Sequence, residues 1–437
     1  MRREWDRRAR RDPYYYAGFG KKNQEPGEFL ASAADTVEKL TAELPRLPEN
    51  TSNFRRALEI GCGPARLMLS LSTHFEEIHG VDVSEEMANL ARKHLAGVPH
   101  AHVHVASGSD LAPFPDAFFD FVYSYAVFQH IPERDVILNY VREARRTLKT
   151  GGVLCCQFRG APPLASEMDR ESSTWTGTHF NAEELLAFSR EQNFHLVRLE
   201  GMETQYLWTT WLKPTPEASG DFSRFHLKAV TATSGGENRV PARGRDAAVS
   251  LWVEGLPGCC HLGNLQVRFN DTGVCGAYLS PIDAGGGCQI DARLPAGLTP
   301  GRYAVRLCHE GVELGEPCAV EITPPPPRQP RIVAVTDGIS IASRNRIETG
   351  ALKLTIEDIA DPQGVRVTVA GSEPHFVQWE RKDPVTDTYE FAYHLSPKTP
   401  RGVHPLRITV SGQELPLEQV EVVTGRRWFS PSAILRR

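Results

Sequence analysis

From about residue 55 to residue 212, short apolar runs alternate with stretches of helical period. Ala57–Ile60, Ile78–Val83, Val103–Ala106, Phe119–Ser124 and Val153–Phe158 read as strands. Phe119–Ser124 is apolar enough for a strand covered on both faces. Helices are predicted over 65–75 and 133–148, the second stopped by Gly151-Gly152. Ser84 has the form of an N-cap, with Glu85 and Glu86 in the first turn, and Asn181 to Glu184 forms a capping box. Two more strands follow, near Phe194–Leu199 and Gln205–Leu212. Strand–helix alternation of this kind predicts an α/β doubly wound, mostly parallel seven-stranded sheet.

After Pro214 the helical period disappears. Short alternating runs take over, among them Val249–Val253, Leu265–Phe269, Tyr303–Leu307, Leu352–Ile356, Val365–Val369 and Leu406–Val410. Three stretches repeat: Leu251–Leu256 matches Leu354–Ile359, Gly301–Leu307 matches Gly402–Ile408, and Gly311–Leu314 matches Gly412–Leu415. The offset stays near 101–103 residues, which predicts two all-β, immunoglobulin-like sandwiches. Pro324–Pro327 and Pro330 mark a stiff linker between them. The expected organisation is an N-terminal cap or helical segment over 1–54, an α/β domain over 55–212, β modules over 218–323 and 331–423, and a basic tail over 424–437. Trp252, Phe269 and Tyr303 are expected in the core of the first module.

The 437 residues carry a formal net charge of -5, which argues against a dedicated nucleic-acid binder. Six arginines among the first eleven residues, Arg2, Arg3, Arg7, Arg8, Arg10 and Arg11, read as a solvated end, as do Arg436 and Arg437. No run reaches the ~20 apolar residues of a membrane span, and no apolar stretch follows the basic N-terminus as in a signal peptide. The cytoplasm is the expected compartment. Of nine cysteines, six crowd between Cys259 and Cys318. Reduced thiols are expected there, and the absence of any C-x-x-C pair speaks against a zinc knuckle.

Chemistry concentrates at Glu59-Ile60-Gly61-Cys62-Gly63-Pro64-Ala65-Arg66, directly after a strand and opening a helix. Glycines there permit a sharp turn and close approach of a ligand, and Asp82 ends the next strand, where a carboxylate can grip both hydroxyls of a ribose. Arg66 stands where a dinucleotide fingerprint wants a third glycine, and Glu59 would repel a pyrophosphate but attract a cationic amino acid group. With His79–Ser84, Asp110–Asp116, Phe119–Ser124 and Leu148–Gly152 in the same order and spacing, residues 55–160 resemble the class I S-adenosylmethionine (SAM)-dependent methyltransferase family, in its small-molecule branch. The resemblance implies SAM as cofactor, with Gly61, Cys62 and Gly63 along its methionine portion and Glu59 shaping that loop. It also implies Asp82 on the ribose, Val83 and Met87 near the adenine, Asp110 and Leu111 on the adenine's other side, and Ser124 reaching the cofactor from the fourth strand. Ala65 departs from the frequent third glycine of the family, a change that fits if φ is negative there. Taken by itself, Cys62 reads as a small packed residue, and Met87 as core or adenine contact alike.

Methyl transfer mainly requires an acceptor held in line, with a base when the acceptor is an oxygen or nitrogen that loses a proton. His130, just past the fourth strand, is either that base or a locally packed side chain. His179, in a Trp- and Thr-rich loop over Ser172–Phe180, is a second candidate. Tyr16 closes the run Tyr14-Tyr15-Tyr16, which with Trp5-Asp6 reads either as a segment folding over the site or as an aromatic anchor. His100, His102 and His104 share one face of a strand, but no carboxylate partner is evident, so no metal is expected. The expected function is methyl transfer to a small-molecule or carbohydrate acceptor at oxygen. The alternative is an inactive methyltransferase fold acting through its β modules as a binding or scaffold protein. Acceptor identity and oligomeric state are not legible.

Overall fold

The computed structural model describes residues 1–18, 24–48, 55–160, 177–202, 204, 206–215, 220–337, 345–348, 350–383 and 386–423. The basic tail 424–437 and most of the Ser172–Phe180 loop lie outside the described residues. Four helices come first: α1 (Arg2–Arg11), α2 (Pro13–Gly18), α3 (Pro26–Ala31) and α4 (Ala34–Thr41). Then follow β1 (Arg56–Ile60), α5 (Arg66–Leu71), β2 (Glu77–Asp82), α6 (Glu85–His94), β3 (Ala101–Val105), β4 (Phe119–Ser124), α7 (Arg134–Thr147), β5 (Leu148–Phe158), α8 (Ala182–Glu191), β6 (His195–Glu200) and β7 (Leu207–Leu212).

Parallel pairing joins β3-β2-β1-β4-β5, and β7 runs antiparallel between β5 and β6. Every residue of β4 is buried, as a central strand between two helical layers requires. Successive side chains feed two cores: Leu58 and Val122 lie in one, Ala57, Phe121 and Tyr123 in the other. The loops at the carboxyl ends of β1, β2 and β4 thereby meet at the point where strand order reverses, the usual ligand crevice of such sheets.

The remaining strands are β8 (His226–Ala232), β9 (Arg239–Pro241), β10 (Ala248–Glu254), β11 (Leu265–Phe269), β12 (Thr272–Val274), β13 (Tyr278–Leu279), β14 (Gly287–Arg293), β15 (Gly301–His309) and β16 (Val312–Thr323). After the proline linker come β17 (Arg331–Asp337), β18 (Arg346–Ile347), β19 (Ala351–Glu357), β20 (Val365–Val369), β21 (His375–Asp383), β22 (Thr388–His394), β23 (Gly402–Val410), β24 (Gln413–Glu414) and β25 (Glu418–Val422).

The expected seven-stranded sheet is part of a larger one. Eleven strands run in the order β3-β2-β1-β4-β5-β7-β6-β13-β14-β10-β8, so one sheet of the first β module continues the α/β sheet. The seam is short. Tyr278 pairs with Arg198, the amide of Leu199 donates to the carbonyl of Ala277 (2.7 Å), and that of Leu262 to Leu196 (2.8 Å). The reason is the edge: β6 is mostly buried and would otherwise present unpaired backbone groups. The expected boundary near 212–218 is therefore not a boundary between compact units. One unit comprises Met1–Pro13 and Leu30–Pro325, and the other Tyr14–Phe29 and Pro326–Arg437, dividing at the predicted proline linker.

Each module has two sheets and an apolar core, with Val249, Leu251 and Ile290 inside the first and Leu352, Leu354 and Phe391 inside the second. Phe269 is buried as expected, but Trp252 is 44% exposed. Val249, Leu251 and Val253 take the inward face of β10, so Trp252 points out and donates its indole N–H to the Thr231 hydroxyl (3.0 Å).

Candidate functional site

Gly61 and Gly63 have φ of +73° and +49°, the left-handed region where glycine is at ease. The amides of Gly61 and Cys62 both donate to the carbonyl of Val81 (2.8 and 3.0 Å), folding the loop onto the end of β2. A Cβ on Gly61 would lie 2.3 Å from Val127, so no other residue fits that turn. Gly80, in β2, leaves room for Cys62 and Met68, which a Cβ there would meet at 2.8 and 2.3 Å. Ala65 differs from the expectation: its φ is +65°, not negative. It keeps the loop's left-handed path into α5 with a side chain present, a conformation that costs an L-residue about 1–2 kcal/mol.

Asp82 organises the loop. One carboxylate oxygen accepts from the amide of Gly63 (2.9 Å), the other from that of Ser84 (2.8 Å). Burial pushes its pKa up to about 6, against the opposing effect of these amides. Each oxygen retains a second lone pair for a ribose hydroxyl. Glu59 is buried beneath the loop and accepts from the hydroxyl of Tyr123 (3.1 Å). Burial pushes its pKa up to about 8, against the opposing hydrogen bond from Tyr123. Cys62 is buried, and burial raises its thiol pKa well above the ordinary range, which makes it a packing residue rather than a nucleophile.

On the adenine side expected from the resemblance, Met87 is buried and its amide donates to the Ser84 cap (3.2 Å). Val83 borders Gly108, where a Cβ would approach to 3.0 Å. The Asp110 carboxylate closes its own turn, accepting from the Ala112 amide (3.1 Å) and the Ser109 hydroxyl (3.3 Å). Leu111 is fully buried in the core. The Ser124 hydroxyl donates to the carbonyl of Ile60 (3.0 Å), tying β4 to β1.

In the arginine-rich start, Arg2, Arg3, Arg7, Arg10 and Arg11 are exposed, as expected of a solvated end, but two of them also tether it. Arg2 donates to the carbonyls of Val83 (3.0 Å) and Ala106 (2.8 Å), and Arg10 pairs with Glu86 (2.9 Å). Asp6 accepts from the Ser84 hydroxyl (2.6 Å), and Trp5 packs edge-on against His130 (5.2 Å between ring centroids). The first helix thus lies over the ends of β2 and β3 and reaches the segment after β4. His130 is buried there. His179 is exposed, with its carbonyl accepting from Arg134 (3.1 Å). Tyr16 belongs to the second unit, buried beside Tyr15, and is not among the groups that the first unit gathers.

Near the ends of β4 and β5, the buried polar side chains Gln129, Gln157 and Arg159 were not among the expected site residues. Gln157 accepts from the amide of Ala126 (3.1 Å). Both side-chain amide atoms of Gln129 are buried without a hydrogen-bond partner among the described residues. Segment 177–180 lies along them, Gly177 donating to the Gln129 carbonyl and Phe180 to that of Arg159 (both 2.8 Å). The only signal was a polar residue inside the otherwise apolar Ala126–Phe128 and Ile131 stretch. The histidine row also changed: His100 bonds the Ser72 carbonyl (3.0 Å), while His104 meets His79 (3.1 Å), which bonds Glu77 (2.9 Å). A carboxylate partner is present after all, and burial lowers the pKa of His79 to about 4.

Residues 58–156 match the family model described as methyltransferase domain. The chain is 29% identical over 174 residues to 27-O-demethylrifamycin SV methyltransferase of Amycolatopsis mediterranei, covering 38% of this chain and 62% of that protein. It is 27% identical over 159 residues to the ubiquinone biosynthesis O-methyltransferase of Xanthomonas oryzae pv. oryzae, covering 34% and 65%. Among solved structures, phosphoethanolamine N-methyltransferase 2 of Haemonchus contortus, in complex with SAM, is 18% identical with a TM-score of 0.34, covering 41% of this chain and 53% of that one. The chain spans less than two thirds of the length of the curated relatives named. Glycine loop, strand-end aspartate and family match agree: residues 58–156 are a class I SAM-dependent methyltransferase domain.

Proposed function

We propose that the chain is an active methyltransferase that transfers a methyl group from SAM to an oxygen of a small-molecule or carbohydrate acceptor. The observation that carries this is the Asp82 clamp, which ties the left-handed Gly61–Gly63 loop to the end of β2 and keeps lone pairs for a ribose. Bound SAM supplies an electrophilic methyl group on a sulfonium. The chain's own part is to hold the acceptor in line and exclude water. Trp5 and the rest of α1 cover the crevice. Gln129 supplies a buried carboxamide able to orient a polar acceptor, and His130 beside it is the candidate base. Curated relatives named as O-methyltransferases support an oxygen acceptor.

The two β modules are read as immunoglobulin-like by their size and paired sheets, and as the part that presents or selects the acceptor. A cytoplasmic setting is supported by nine cysteines that are all free thiols. The test is transfer of methyl-labelled SAM to panels of phenolic, carboxylic and saccharide acceptors. Label on oxygen is expected, with Gln129→Leu lowering the rate about 10- to 100-fold at unchanged SAM affinity. Absence of transfer by SAM-binding protein across the panels would contradict an oxygen acceptor of these classes.

A further inference from the structure

Cys259 and Cys260 are neighbours in sequence and His309 lies some 50 residues on, yet the ligand atoms of the three all fall within 4.8 Å of one another. Cys260 is buried, and Cys259 and His309 are half-buried. The Nε2 atom of His309 is buried without a hydrogen-bond partner among the described residues, an arrangement that buried polar atoms rarely tolerate without a ligand. Its ring is held by Phe222, 4.8 Å away between centroids.

The backbone around the three is fixed. Asn264 donates to the carbonyl of Cys259 (3.0 Å) and accepts from the amide of His261 (2.9 Å), and its own carbonyl accepts from the amide of Glu310 (2.9 Å). One side chain and its backbone thus tie the cysteine turn to the end of β15. In a tetrahedral zinc site, bond lengths of about 2.0–2.3 Å put neighbouring ligand atoms roughly 3.5–3.8 Å apart, within reach of small side-chain rotations here. We propose that Cys259, Cys260 and His309 bind a zinc ion, with two thiolates and one imidazole from the protein and water in the fourth position.

The site's place gives it a role. The same turn bonds the α/β sheet: Leu262 to Leu196 (2.8 Å), Gly263 accepting from Arg190 (2.6 Å), and His261 meeting Ser189 (3.1 Å). Zinc there clamps the turn that joins the first β module to β6 and α8, and its binding energy becomes stability of the whole first unit.

The test uses the full chain, purified with a phosphine reductant and stripped with a chelator. Addition of Zn²⁺ is expected to give one tightly bound equivalent and a higher first melting transition. Co²⁺ in its place should give thiolate charge-transfer and tetrahedral d–d bands. Cys259→Ser and His309→Phe should each weaken binding by more than about 100-fold and abolish the thermal shift. Cys275→Ser and Cys318→Ser, in the same module, should leave both unchanged. Folded Cys259→Ser and His309→Phe proteins that keep wild-type zinc affinity would overturn the proposal, as would no zinc uptake by the folded wild-type chain.

Discussion

The four strands β8-β10-β14-β13 of the first β module and β17-β19-β22-β21 of the second stand in the same order, yet their last strands have opposite fates. The two-residue β13 is hydrogen-bonded to β6 and disappears into an eleven-stranded sheet. Nine-residue β21 is the last strand of its sheet and carries Phe376, Val377 and Trp379 at 47, 41 and 40% exposure. Turns repeat as well: Glu310-Gly311 and Ser411-Gly412 both have two positive φ values, the backbone of a two-residue hairpin turn with native twist. One two-sheet plan thus serves in one place as an extension of the α/β sheet and in the other within a separate unit. What differs is the edge, not the core.

That difference can be broken at several scales. Ending the chain at Pro214 should bare the β13-facing edge of β6 and give insoluble protein, whereas ending it at Thr323 should leave SAM affinity within about twofold. Solubility and calorimetric titration of the two truncations check this. Next in size, Trp211→Ala and Phe391→Ala each remove a fully buried ring and should cost about 3–5 kcal/mol. Scanning calorimetry should show the first lowering one transition together with SAM affinity, and the second lowering the other transition alone.

Acid should separate the units too. The buried histidines His79, His130, His195 and His261 all belong to the first unit. Burial lowers the pKa of His79 and His195 to about 4 and that of His261 to about 3, below the value of about 6.5 in an unfolded chain. The unfolded state therefore binds more protons between those values, so stability of the first unit falls as pH drops from about 6.5 toward 4. Asp82 acts with the opposite sign on stability, its folded pKa being raised to about 6. For binding, its protonation below that pH should weaken SAM. Thermal melts and titrations from pH 7.5 to 5 separate the two. Smallest of all, Ala65→Gly should raise the first transition by the equivalent of about 1 kcal/mol, because it removes a side chain from a left-handed position.

Much of the fold was legible because each part had its own period. Alternating apolar runs located β1 to β7, and the capping box at Asn181 located α8 with both of its hydrogen bonds formed. The repeat between the modules was readable because Gly301 opens β15 and Gly402 opens β23. The seam at β13 was not, since two residues carry no period. Trp252 misled because size was read in place of the alternation that turns it outward. At the site, Gly61, Gly63 and Asp82 were legible from their residue types. Buried Gln129, Gln157 and Arg159 were not, because burial of a polar side chain is a property of the packed fold. The cluster of Cys259, Cys260 and His309 follows the same logic, assembled from one turn and the end of β15 with no motif between them.

Asp82 is the residue on which SAM binding turns. Calorimetric titration of SAM and S-adenosylhomocysteine into wild-type and Asp82→Ala protein should give micromolar binding for the first and a loss of about 100-fold or more for the second, with folding intact. No binding by the wild-type chain, or equal binding by folded Asp82→Ala, would contradict the role of Asp82 in holding SAM.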